Sequence, residues 1–227
     1  MAVVSGCQQS TPVTVNHAGA LMEIMMQGKT HARVMPDTLI AGTPNLWALG
    51  ATTDLKGEWL IRQSQPHLSQ VQEGKLVHTK GAEQTAALLV WSQVSEWKEQ
   101  DIPSGLDQKA LGDWIVNQSE QHGLSPDSPF PIRLMGEVDT LAWHVINVPD
   151  SLLTQALGHA AHQRHAMRGQ LAKQEVEIFG FFSTKHERVY THMGDKLHLH
   201  IFLDPGNAHI DEMKTGEGMK ILWPKEG

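Results

Sequence analysis

Leu197-His198-Leu199-His200-Ile201-Phe202-Leu203, then Asp204-Pro205-Gly206-Asn207, then Ala208-His209-Ile210-Asp211, is the stretch on which the reading of this chain turns. On a strand, side chains alternate between two faces with period two. Leu197, Leu199, Ile201 and Leu203 therefore line one face, and His198 and His200 the other. Asp-Pro-Gly-Asn is turn chemistry: proline presets φ, glycine accepts positive φ and asparagine tolerates it. Closing the hairpin with Leu203 opposite Ala208 sets Phe202 against His209 and His200 against Asp211. Opposed residues share a face, so His209 joins His198 and His200, with Asp211 as a supporting carboxylate. Three imidazoles on one side of a hairpin are the protein part of a catalytic zinc site, which keeps a fourth position open. The plain alternative for His198 and His200 is a solvated polar face. The third histidine across the turn is what favours ligation, and a one-residue slip of register would scatter the set.

The chain is rich in histidine, 14 against one tyrosine. Gly194-Asp195-Lys196 can fold His192 back towards His198, so His192 and His186 read as residues that line the pocket or bind substrate. His159, His162 and His165 stand at i, i+3, i+6, which fans them around a helix; i, i+4 suits chelation better. They read as a solvated rim.

Working outward, Ala18 to Gly28 reads as a short amphipathic helix, and Asn45 to Lys80 as strands. Glu73-Gly74-Lys75 is a hairpin turn between Leu68–Val71 and Leu76–Val77. Ala86 to Trp97 is a further strand-like run. Ser104 reads as the cap of a helix through Leu111, Trp114 and Ile115 that Gly123 ends. A β region starts at Phe130 and runs to Val148, followed by a helix or long ordered loop from Leu152 to Met167. Strands at Val176–Phe182, Arg188–Met193, Lys196–Leu203 and Ala208–Glu212 close the chain. Strands dominate with helices inserted, which gives an α+β class with mixed or antiparallel sheets. The expected division is a start and tether without fixed structure at 1–17, a sheet-plus-helix half at 18–125, and a half carrying the metal site at 126–227.

A chain of 227 residues, 40% hydrophobic, can bury a real core. The formal charge of -7 offers no basic stripe for nucleic acid, and no segment has the apolar length of a membrane-spanning helix. A lone cysteine excludes an internal disulfide framework and a Cys-rich zinc site. Val4-Ser5-Gly6-Cys7 has the small-residue pattern that precedes a lipidated cysteine, although Ala2-Val3-Val4 is too short for a signal-peptide core. Two readings stay open: a lipid-anchored protein outside the cytoplasm, in the periplasm or at the membrane, or a cytoplasmic one with an ordinary cysteine near its N-terminus. No phosphate loop or serine-nucleophile motif is present.

Taken together, Leu46-Trp47-Ala48-Leu49-Gly50 with Leu55-Lys56-Gly57-Glu58, then Pro131-Ile132-Arg133-Leu134-Met135-Gly136, then His198-x-His200 with His209-Ile210-Asp211, resemble the acetolactate decarboxylase family over Leu46 to Asp211. The resemblance implies two related α/β halves, often dimeric, with zinc on His198, His200 and His209 and Glu58 as an active-site carboxylate. It implies conversion of 2-acetolactate, or a similar 2-hydroxy-3-oxo acid, to acetoin and carbon dioxide. Two departures stand out. Where the family has an arginine that holds the substrate carboxylate, the matching position here is His144; the family also has a C-terminal site glutamate that neither Glu217 nor Glu226 matches. Imidazole cannot replace the two-pronged fit of guanidinium to carboxylate. Glu58 and His144 are thus the candidate catalytic residues, with Arg133 a candidate for the pocket. The competing readings are a zinc-dependent hydrolase, a metal- or small-ligand-binding lipoprotein, and a nucleic-acid-binding relative, which the charge disfavours.

Overall fold

A computed structural model describes residues 13–153, 164–192 and 194–225. Cys7, His159 and His162 lie outside the described residues, as does most of the segment expected from Leu152 to Met167.

The first sheet is antiparallel, with β1 (Val15–Ala18), β2 (Leu46–Thr52), β3 (Glu58–Arg62), β4 (Gln65–Gln72), β5 (Lys75–Thr79) and β6 (Ala86–Gln93) in the order β1-β6-β2-β3-β4-β5. Residues from Val15 on are thus paired strand, where a tether was expected. The β4–β5 turn is Glu73-Gly74, both with positive φ, as the sequence predicts. Two short helices precede β2: α1 (Leu21–Gln27), ended by Gly28 at φ 60, and α2 (Pro36–Gly42). Leu46 to Leu49 are all buried because both faces of the sheet are covered. Leu46, Ala48, Trp59 and Ile61 pack beside Leu39 and Ile40 of α2, while Trp47, Leu49, Leu60 and Val90 cluster with Phe179 and Phe181 of the second sheet and with Tyr190.

The second sheet takes β7 (Trp97–Asp101), β8 (Phe130–Ile146), β9 (Ala166–Phe182), β10 (Leu197–Leu203), β11 (Gly206–Thr215) and β12 (Lys220–Pro224), in the order β11-β10-β9-β8-β12-β7. β11 also pairs with β8, so β8, β9, β10 and β11 form a closed ring of pairings. The helix α3 (Gln108–Ser119) plugs one side through Leu111 and Ile115. The chain changes sheets between Gln93 and Trp97, so β7 and α3 belong with the second sheet rather than with an 18–125 half.

Several local expectations need correction. The cap of α3 is Asp107, whose carboxylate accepts from Ala110 N at 2.8 Å, and not Ser104. Asp107 is simply the acceptor in the right place before the first free N–H groups. Arg188 to His192 is a turn rather than a strand, closed by Arg188 N donating to Thr191 O at 2.7 Å. The β region read from Phe130 to Val148 is, by contrast, found as one strand, Phe130–Ile146. All of this is an antiparallel two-sheet fold with a few helices, the α+β class read from the sequence.

Candidate metal centre

β10 behaves as its alternation dictates. Leu197, Leu199 and Ile201 lie in the core of the second sheet, and His198 and His200 project from the other face at 3% and 0% exposure. The hairpin to β11 is tighter than predicted. Its register is Leu203 with Gly206, Phe202 with Asn207, and His200 with His209, leaving a two-residue turn at Asp204-Pro205. Turn length sets register, and a two-residue turn moves every partner by two positions from the expected pairing. An even shift keeps each residue on its face. The three histidines therefore still meet, but His200 faces His209 directly instead of Asp211.

The nitrogens that His198, His200 and His209 can offer all lie within 4.8 Å of one another. Their ring centroids are 5.0 to 5.3 Å apart. Burial strips water from all three and holds them neutral: His198 and His209 fall well below the ordinary histidine range, and His200 falls to about 3. The neighbouring imidazoles push in the same direction, because each opposes a second positive charge. Neutral imidazoles present lone pairs. Nδ1 of His198 and both ring nitrogens of His200 are buried without a hydrogen-bond partner of good geometry, although the Tyr190 and Trp59 backbones and the Asn207 side chain weakly favour protonation. Buried polar atoms left in this state call for an unplaced partner such as an ion. The donor set fits a divalent transition metal of borderline softness.

Glu58, the first residue of β3, comes from the other sheet. Its carboxylate is 4% exposed and accepts from Ile146 N at 3.2 Å. One oxygen stands 3.9 Å from His200 Nε2, the other 3.9 Å from His144 Nε2. Burial raises its pKa well above the carboxylate range, Asp211 adds to the rise, and the Ile146 N–H opposes it. His144 lies on β8 directly across from His209. Its Nδ1 is 2.8 Å from Asp211 Oδ1, where a bulge in β11 turns the aspartate inward. Asp211 thus supports His144 rather than a member of the triad, although His144, His209 and Asp211 also form a set of donors close enough to hold an ion. His192 borders the cluster, with its ring 5.3 Å from His209 and 6.4 Å from His198.

Of these groups, His198, His209, Glu58, His144 and His192 line a cavity of about 60 Å³ with Leu21, Ile24, Met25, Leu55, Leu88 and Ile146 as its apolar walls, and His200 completes the triad beside it. The cavity has room for on the order of five waters, and so for a ligand of few atoms. No arginine or lysine lines it among the described residues. Two expectations fail here. Arg133 stacks over Trp47, 4.7 Å from the ring centroid, and pairs with Glu177 at 2.7 Å, away from the cavity. His186 is held by Ser183 Oγ at 2.8 Å and stacks on Tyr190, also outside it. The α1 residues Leu21, Ile24 and Met25 were not anticipated as cavity walls; α1 reaches the site because Leu21 N and Met22 N donate to Val189 and Arg188 at 2.8 Å.

No family model matches the sequence, and no curated protein does. Solved structures do match, and they define the class of fold as acetolactate decarboxylase-like. The alpha-acetolactate decarboxylase of Bacillus subtilis strain 168 is 10% identical, with a TM-score of 0.72 over 93% of this chain and 85% of that one. The enzyme of Bacillus subtilis subspecies spizizenii gives the same identity and TM-score over 93% and 86%. A Staphylococcus aureus protein of unknown function, similar to alpha-acetolactate decarboxylase, is 14% identical, with a TM-score of 0.68 over 94% and 85%. At these identities the likeness is one of fold.

Proposed function

We propose that the chain is a zinc-dependent carbon–carbon lyase that decarboxylates 2-acetolactate or a similar small 2-hydroxy-3-oxo acid to a hydroxyketone such as acetoin. The observation that carries this is the meeting, beside one small apolar cavity that His198, His209 and Glu58 line, of three neutral buried histidines and a buried carboxyl that favours its protonated form. His198, His200 and His209 would hold the cation, whose chemistry when bound is Lewis-acid stabilisation of negative charge developing on the substrate's hydroxyl and ketone oxygens.

The remaining steps fall to the chain's own groups. Loss of carbon dioxide leaves an electron pair that must take up a proton at carbon. Glu58 is placed to supply it: desolvation keeps the carboxyl protonated when an exposed one would be ionised. The Ile146 N–H, 3.2 Å from Oε1, fixes its orientation. His144, whose Nδ1–H donates to Asp211, presents Nε2 beside Glu58 at the cavity wall. The apolar walls exclude water from the reacting carbon and match small alkyl substituents.

The test is acetoin release from racemic 2-acetolactate by metal-replete protein, metal-stripped protein and His200→Ala. Activity is expected only in the first. Acetoin formation that survives complete metal removal contradicts the proposal.

A further inference from the structure

Asn207, at the tip of the β10–β11 hairpin, is 0% exposed, and a hydrogen-bonding pattern rather than packing alone holds it. Its Nδ2 donates towards three oxygens of the first sheet: His67 O at 2.9 Å, Glu58 O at 3.2 Å and Ser69 Oγ at 3.2 Å. Its backbone N–H donates to Ser69 Oγ at 2.7 Å. The neighbouring Gly206, at φ +113, lies so close that an added Cβ would stand 2.7 Å from the same hydroxyl. The tip is pressed onto β3 and β4.

Acceptors on one side settle which way the amide points, because a flip would drive Oδ1 against two carbonyls. Oδ1 is therefore directed away from those oxygens, is buried, and has no partner of good geometry. Across the hairpin Asn207 pairs with Phe202 and His200 with His209, so the Asn207 side chain and the His200 ring lie on one face as diagonal neighbours, and the Asn207 side chain favours a proton on that ring. A neutral imidazole has one N–H to place, and the buried His200 ring has no well-formed partner for it. An orphan acceptor and an orphan donor thus sit side by side, in the manner of the outer contacts that orient metal-binding histidines.

We propose that Asn207 is a positioning residue of the metal centre: its Oδ1, with the Trp59 backbone, takes the ring N–H of His200, so that the other ring nitrogen offers its lone pair to a divalent transition metal. The same side chain grips the backbone of Glu58. One amide therefore sets both the tautomer of a ligand on the second sheet and the place of the acid on the first. This rests on the metal-centre reading above.

The experiment measures zinc affinity, by competition with a chromophoric chelator, together with the melting temperature of metal-free protein. Asn207→Ala and Ser69→Ala are compared with wild type; Ser69→Ala loosens the docking but leaves two carbonyls to orient the amide. Both variants are expected to melt lower, with zinc binding weakened about 10- to 100-fold in Asn207→Ala and by less than about threefold in Ser69→Ala. Equal weakening in the two variants, or none in Asn207→Ala, overturns the proposal. If Asn207→Ala does not fold, long-range 15N–1H NMR of metal-free wild type decides. A single His200 tautomer, retained on adding zinc, is expected, and a mixture of both overturns the proposal. Wild-type protein that takes up no zinc overturns the metal reading instead, whereas the tautomer still reports on the Asn207 contact.

Discussion

Acidifying the metal-free protein from about pH 8 to about pH 4.5 should cost a large share of its stability, because protons bind the unfolded imidazoles and not the folded ones. In the unfolded chain His200 titrates near 6.5, whereas in the fold it is held at about 3. Its contribution is therefore complete above pH 6.5 and drains away as the pH falls towards 3. At about pH 4.5 the loss from this one ring is on the order of 3 kcal/mol, taking 1.36 kcal/mol per pKa unit and allowing for partial titration. His198 and His209 shift the same way and add to it, as do the partly buried His67 and His78. Glu58 works in the opposite sense: its raised pKa means that stability falls as pH rises past its unfolded value of 4.5. Glu58→Gln removes that opposing trend, so the comparison is best made in this background. Urea unfolding at the two pH values gives the free energies. Metal-free Glu58→Gln should lose more than about 3 kcal/mol, and adding His200→Gln should reduce that loss by about 2–3 kcal/mol. Stability that is flat across this range, or a loss that His200→Gln leaves unchanged, would refute the account of a water-stripped imidazole cluster.

In the same Glu58→Gln variant, zinc stoichiometry should be retained while kcat for acetoin release falls by about 10²- to 10⁴-fold, as removal of a proton donor predicts; steady-state kinetics beside metal analysis would show it. Gly206→Ala should destabilise the protein by about 1–3 kcal/mol in urea melts, because positive φ and the approach to Ser69 Oγ both oppose a side chain. Arg133→Ala should lower stability by about 1–3 kcal/mol, through loss of the Trp47 stack and of a partner for the largely buried Glu177. It should leave zinc affinity and KM near wild type, since its guanidinium is outside the cavity; a specific rise in KM would show otherwise.

The parts of this structure legible in the sequence are those in which a local rule and a burial requirement agree. The period of two from Leu197 to Leu203 had one solution once its leucines were sent inward, and it placed His198 and His200 together. The pairing of His200 was misread because loop length, unlike face, is not encoded by alternation; the face survived because the error was even. Gly123 ends the helical region as predicted, yet the cap three residues beyond Ser104 was missed, since two residues of similar chemistry compete and only the chain path selects Asp107. Arg133 reads as a pocket candidate from its place in the family-like Pro131–Gly136 motif. Its partners, Trp47 and Glu177, are 86 and 44 residues away in sequence, and no local pattern announces them. The same distance hides Asn207, which reads as a turn residue until β3 and β4 are laid against it. Glu58 was reached through family resemblance alone; on its own it is one carboxylate at the head of a strand.

The most direct measurement is an anomalous difference map, recorded at the zinc edge from crystals of zinc-loaded protein. The account predicts one strong peak about 2.0–2.1 Å from a ring nitrogen of each of His198, His200 and His209, with an open coordination position towards the cavity. A peak held instead by His144 and Asp211, or the absence of ordered metal among the three rings, would contradict it.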